Sequence, residues 1–427
     1  RDLHSFPTRR SSDLPTACYN ISMSTILALD IGTDFVKAII AKHTGKGSLE
    51  IIGVGKAQHA PQNISARAIT DIPAVTAVCE QAILTAEQIA GQTANLAVVG
   101  IAGELIKSHI TTVNYARENP EKPIFETEMQ HIIQKVQEKA GAIAKDAIAI
   151  ETDNSNVEIR LINSAIVALT IDGYKVNNPI GFKGSNLSIQ FYTAFAPLIH
   201  TAAIEKICAE LNLDLLAIAV EPFAICRACL GDNPDSHWSG IILDIGGNTT
   251  DVAIIDDGNI KGTKVFSIGG RNFTHQIATN LDIDFTTAES YKTSLQNLNP
   301  PQLTKLNSAI VQSLTVWFTG VEVALEDFDL TNPMPKDIFL CGGGASLIAL
   351  QEALAISDWY LNLPFPRRPI IHLIDITTLP DITLNLKTTL DHSFATAIGL
   401  LRVSLDTLIS IPEQNTIRTK FAKLLQK

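Results

Sequence analysis

Two aspartates at matching places in two matching motifs carry the first sign of chemistry. Asp30 ends the apolar run in "ILALDIGTDFVKAIIAKH" (26–43), and Asp244 ends the one in "LDIGGNTTDVAIID" (243–256). In each, the apolar run breaks at small polar residues and then resumes, which predicts a tight hairpin between two strands. A tip built of Gly32 and Thr33, or of Gly246, Gly247, Asn248, Thr249 and Thr250, presents backbone N–H groups and hydroxyls in a concave turn that can cradle phosphate oxygens, with glycine supplying positive φ. Asp30 and Asp244, at the ends of the incoming strands, suit a hydrated Mg²⁺. Lys37 can return along the outgoing strand to a phosphate. Asn248 is expected to hold a left-handed turn position in place of glycine, and Asp34 adds a carboxylate that either assists Mg²⁺ or repels phosphate. Either motif alone reads equally well as an ordinary hairpin turn. Two copies more than two hundred residues apart point to a duplicated unit facing one ligand.

A third element fits the same ligand. "DIFLCGGGASL" (337–347) is an apolar strand followed by Gly342, Gly343 and Gly344 and then a helical pattern, which allows close backbone approach to a flat or anionic group at a helix N-terminus. Within "AESYK", Glu289 and Lys292 lie three apart on one face of a predicted helix, where they form a surface ion pair or reach a ribose or base.

The elements that must hold these residues belong to a chain of 427 residues, enough for two to four compact units with several cores. Lys and Arg number 33 against 44 Asp and Glu, a net charge of -11, and no basic face interleaved with aromatics occurs, so nucleic acid is not an expected partner. Cys226 and Cys229 form a CxxC inside a predicted helix with no second ligand pair; the cysteines read as reduced core thiols rather than zinc ligands. No apolar run approaches the length of a spanning helix, and the opening lacks the parts of a signal peptide, so a cytoplasmic location is expected. Residues 1–22 have no periodicity and read as a non-native or disordered leader before Met23. GxxxxGK[ST], GxSxG and HExxH motifs do not occur.

The ordered set DIGTDFVK, EPFAICRA, DIGGNTTD, AESYK and CGGGASL resembles the ATPase superfamily of actin, heat-shock chaperones and sugar kinases. The resemblance implies an α/β, actin-like two-lobe fold with duplicated ribonuclease-H-like mixed sheets flanked by helices, closing on ATP and Mg²⁺. It also implies that the glycine turn at 342–344 holds the adenosine and that Glu221, in "VEPFAICRA", orients the attacking water; a glutamate before proline is equally a helix-start residue. Between the first lobe's opening sheet and the connecting helix, residues 97–197 read as a small α+β insert: a helix with Met129, Ile132, Ile133, Val136, Ala140 and Ile143 at helical spacing, then strands around "NNPIGFKG". This placement resembles the FtsA family of division proteins. The remaining expected units are a first lobe at 23–96 and 198–237, a second at 238–270 and 335–411, and a helical subdomain at 271–334.

Beyond Pro412, Ile417, Phe421, Leu424 and Leu425 fall on one helical stripe flanked by Lys420 and Lys423, which suits a helix lying in anionic headgroups or one docked on its own core. The FtsA resemblance implies a membrane tail here (412–427), the FtsZ C-terminal peptide and other division proteins as partners, self-association into filaments through the insert, and a peripheral position on the inner membrane face at the division site. A PilM-like adaptor of type IV pilus assembly shares the fold and needs no lipid tail. A sugar or carboxylate kinase would need an aspartate base facing an acceptor pocket, and no residue is nominated for it.

Overall fold

The computed structural model describes residues 25–44, 48–59, 69–101, 105–176, 178–231, 236–294, 299–328, 333–386 and 389–410. The leader 1–22 and the membrane residues Ile417, Lys420, Phe421, Lys423, Leu424 and Leu425 lie outside them.

Strands β1 (Thr25–Ile31), β2 (Phe35–His43) and β3 (Leu49–Gln58) form an antiparallel meander. Their apolar residues are buried on both faces, which is why they read as near-continuous hydrophobic runs rather than alternating ones. Helix α1 (Ile72–Ala90) is started by the Asp71 side chain, which accepts from the Ala74 N–H, and is stopped by left-handed Gly91. Strand β4 (Leu96–Ile101) then runs parallel to β1. The insert follows: β5 (Lys107–Ala116), α2 (Glu126–Thr152), β6 (Ile159–Ile171), β7 (Tyr174–Lys175) and β8 (Asn186–Pro197), with sheet order β5-β8-β6-β7. The chain returns through α3 (Leu198–Glu210) to β9 (Asp214–Val220), parallel to β4, and crosses to the second lobe on α4 (Glu221–Leu230).

There the pattern repeats. Strands β10 (Gly240–Ile245), β11 (Thr250–Asp256) and β12 (Asn259–Phe266) form a second meander. Helices α5 (Gly270–Leu281), α6 (Phe285–Thr293) and α7 (Pro300–Glu326) precede β13 (Asp337–Cys341), α8 (Ile348–Ile356) and β14 (Ile370–Leu373). The sheet order is β12-β11-β10-β13-β14, and its counterpart β3-β2-β1-β4-β9 in the first lobe is extended by β15 (Ile382–Leu384) beside β3. Helix α9 (Ala395–Ser410) ends the described chain. The fold is the expected α/β architecture of two lobes with duplicated mixed sheets and a small α+β insert.

Four details differ from the sequence reading. Strand β4 is part of the first sheet, so the insert's own sheet starts at Lys107 rather than at 97. Strand β15 and helix α9 return to the first lobe: Ile382 pairs with Leu49, and Ala397, Ile398, Leu401 and Leu405 share a core with β1 and β4. The buried stripe of α2 continues from Ala140 through Ala144 and Ile148, while Ile143 is exposed, because a 3.6-residue period places 144, not 143, above 140. Helix α7 is long and apolar enough to cross a membrane by length and composition, which no run in the sequence suggested. Its Leu306, Ile310, Leu314, Trp317 and Val321 instead fill the core beneath the second sheet.

Candidate functional site

The two hairpins point their tips at each other across the cleft between the lobes. Behind them lies a cavity of about 590 Å³. Asp30, Gly32, Thr33, Lys37, Glu221, Asp244, Gly246, Gly247, Thr249, Glu289, Lys292, Gly342, Gly343 and Gly344 all line it. The residues nominated separately along the sequence thus meet at one place, with two exceptions. Thr250 turns inward: its hydroxyl donates to the Ile268 carbonyl at 2.6 Å and accepts from the Trp317 indole N–H at 2.9 Å, so it anchors the second hairpin to α7. Asn248 is not among the lining residues and does not adopt positive φ; its N–H donates to Thr33 Oγ1 at 3.2 Å.

The glycines serve close approach more than positive φ. At Gly247 a β-carbon would sit 2.3 Å from Asp34 Oδ2 and 2.7 Å from Thr33 Oγ1, so only glycine lets the two tips touch. Gly342 combines both needs: its φ is +78°, and a β-carbon there would meet Asp244 Oδ1 at 2.1 Å. The glycine turn that follows β13 is therefore laid directly on the second hairpin's aspartate. It is held from the other side by His392, whose Nδ1 lies 3.1 Å from the Gly342 carbonyl.

Charge is arranged unevenly in the closed end of the cavity. Asp30 faces Lys37 across the first hairpin at 2.9 Å. Burial disfavours the Lys37 ammonium, yet Asp30, Asp244 and Glu221 hold its pKa above the usual lysine value. Asp244 faces Asp251 across the second hairpin. These two carboxylates and that of Glu221 lie within 4.8 Å of one another, all buried. Asp244 accepts one hydrogen bond, from Thr396 at 2.6 Å, whereas Glu221 Oε1 and Asp251 Oδ1 have no partner. Burial first, and then mutual repulsion with Asp30 and Asp244, pushes Glu221 and Asp251 well above the ordinary carboxylate range; burial also raises Asp244. Three crowded acids with two orphaned oxygens form a donor set that fits a hard divalent cation, which would replace the shared protons. Asp251 was missed in the sequence reading. Its signal is its offset: it follows Asp244 by the same seven residues that separate Lys37 from Asp30.

At the other end, Lys292 Nζ contacts Glu289 Oε2 at 2.8 Å and donates to Thr274 Oγ1 and the Gly270 carbonyl. The AESYK pair is thus an ion pair that ties α6 to α5 along the cavity wall. Phe273, Ile310, Ile348 and Leu350 add an apolar slot beside the glycine turn, suited to a flat heterocycle. The described cysteines are free, and burial pushes the Cys226 thiol well up and that of Cys229 up to about 12, as expected of reduced core thiols rather than metal ligands.

A family model described as cell division protein FtsA matches residues 241–356. The cell division protein FtsA of Pseudomonas aeruginosa is 28% identical over 409 residues, covering 89% of each chain. That of Enterococcus faecalis is 24% identical over 277 residues, 64% of this chain and 58% of that protein. Among solved structures, the PilM-PilN type IV pilus biogenesis complex superposes with a TM-score of 0.65 at 17% identity, over 89% of this chain and 98% of that one. The fold is actin-like, and the sequence is similar to FtsA along nearly its whole length.

Proposed function

We propose that this FtsA-like chain is a cell division protein that binds ATP with Mg²⁺ between its lobes, polymerises, and links the division ring to the inner face of the cytoplasmic membrane. The observation that carries the nucleotide part is the convergence of both hairpins, the glycine turn and an orphaned carboxylate cluster on one cavity. Amides of the Gly32–Thr33 and Gly246–Thr249 tips would cradle the phosphates, with Lys37 as the nearest cation. Gly342–Gly344 and Glu289 would border the nucleoside. Asp244, Asp251 and Glu221 would hold Mg²⁺, with Asp30 reaching it through water; the metal would supply positive charge to the phosphates. With its proton displaced by the metal, Glu221 would hold Mg²⁺ and orient a water at the phosphate end of the cavity. Closure of the lobes on nucleotide would set the shape of the assembling surface.

Self-association through the insert is supported by an exposed apolar corner. Phe125 and Phe182 are 57% and 52% exposed, and Ile124 holds them together by donating to the Phe182 carbonyl and accepting from the Gly181 N–H. The helical subdomain α5–α7 is the proposed seat of the FtsZ C-terminal peptide. The stripe of Ile417, Phe421, Leu424 and Leu425 with Lys420 and Lys423 is the proposed anchor to anionic lipid.

Assembly on anionic vesicles with ATP and Mg²⁺, viewed by negative-stain microscopy, tests the whole reading. Filaments are expected from the wild type and not from Asp244→Ala. A PilM-like cytoplasmic adaptor is the second reading, favoured by the PilM-PilN superposition. Vesicle co-sedimentation separates the two: pelleting that is lost on deleting 416–427 supports the division protein, and an intact chain that never pellets supports the adaptor.

A further inference from the structure

We propose that Arg271 is a positioning residue of the phosphate site: reaching from the second lobe, it pins the tip of the first hairpin and cancels the Asp34 charge that would otherwise face the phosphates. This rests on the nucleotide reading of the cavity. Arg271 is the second residue of α5, and its backbone N–H donates to the Gly247 carbonyl at 2.8 Å, so its root is fixed to the second hairpin. Its guanidinium crosses the cleft, with Nε on the Asp34 carboxylate and Nη2 on the Thr33 carbonyl at 3.2 Å. Thr33 is gripped a second time, by the Asn248 N–H. On its own lobe the tip is tied by the His59 N–H, which donates to the Asp34 carbonyl at 2.8 Å.

Asp34, Thr33 and Gly247 line the cavity, and Arg271 is not among the lining residues, so it acts through the tip rather than by touching a phosphate. The pair is largely withdrawn from water, with 11% of the Arg271 side chain and 32% of the Asp34 side chain exposed, where a charge left alone is felt more strongly than on an open surface. The nearby His59 ring is buried without a partner and, by burial and then by Arg271, is pushed down to about 4. It is neutral at physiological pH and does not compete for Asp34. An aspartate at a phosphate-binding tip, repulsive on its own, thus becomes the attachment point for the opposite lobe.

The test measures binding of a fluorescent ATP analogue with Mg²⁺, and hydrogen exchange of the tip amides at 30–37 and 246–250 without nucleotide, in wild type, Arg271→Lys, Arg271→Ala, Asp34→Asn and the Asp34→Asn/Arg271→Ala double variant. Arg271→Ala should weaken binding by about tenfold and Arg271→Lys by less. The double variant should recover most of that loss, because the repulsive charge is gone, and the two variants carrying Arg271→Ala, single and double, should exchange their tip amides faster. A double variant as weak as Arg271→Ala overturns charge cancellation, and unchanged exchange in Arg271→Ala overturns the pin. A wild type that binds no nucleotide overturns the phosphate part together with the reading it rests on, while the exchange data still decide whether Arg271 pins the tip.

Discussion

The two hairpins share their register and the position of their leading aspartate, yet they differ at the residue paired with it. Opposite Asp30 stands Lys37; opposite Asp244 stands Asp251. The first hairpin is therefore electrically closed, with an internal cation bonded to its aspartate. The second is open, with two buried acids facing a third, Glu221. A duplicated backbone unit carries a neutralised pair in one copy and crowded acids in the other, and under the proposed nucleotide reading it is the open copy that an external cation would balance. The lesson is that the backbone sets the shape of the cavity, while a single cross-strand pair decides which half carries its own positive charge and which half does not.

Breaking the closed copy should have the largest effect. Lys37→Ala strands Asp30 in a site where its side chain is 3% exposed, and loss of one partner of a buried pair costs about 3 kcal/mol; urea denaturation without nucleotide measures this. Relaxing the open copy should act in the opposite direction. Asp251→Asn removes one of the crowded acids and should stabilise the metal-free chain at neutral pH, read by urea denaturation, while weakening Mg²⁺-dependent nucleotide binding in a titration of metal.

The pH dependence sharpens the same contrast. Glu221, Asp251 and Asp244 have folded pKa values raised above the unfolded ones, so the folded state binds more protons. The stability they contribute is fully present below the unfolded carboxylate pKa and is lost as pH rises through the folded values. Thermal unfolding without metal should therefore show a declining stability from about pH 4 upward, and Asp251→Asn should flatten the slope. The smallest effect is expected at the hairpin's anchor: Thr250→Val removes both bonds to Ile268 and Trp317 and should cost about 1–2 kcal/mol by urea denaturation, with a shift in tryptophan emission.

The hairpins were legible because a buried strand broken by glycines leaves a local trace, as at Leu243–Asp256. So was the convergence of Asp30, Asp244 and the glycine turn, since duplication implies a shared ligand. Asp251 was not, because an aspartate beside two threonines reads as the tail of a turn until strand pairing sets it opposite Asp244. The direction of Thr250 depended on Trp317, sixty-seven positions away, and the Asp34–Arg271 pair depended on the closure of two lobes. Neither has a local signature. The same holds for α9, whose Ala397, Ile398, Leu401 and Leu405 are equally apolar whichever lobe receives them. The packing of α9 against β1 and β4 and the pairing of β15 with β3 show which one does.

That short strand also bears on how the chain is made. Thr383 lies beside Leu49 at a sequence separation of 334 residues, so the first sheet keeps an open edge until its last strand has left the ribosome. At about 10 residues per second the wait is roughly half a minute, during which β3 presents unpaired backbone groups able to join a neighbouring nascent chain. The second lobe, whose strands all lie between Gly240 and Leu373, has no such debt to its own terminus and can complete itself first, offering the unfinished half a folded surface to close upon.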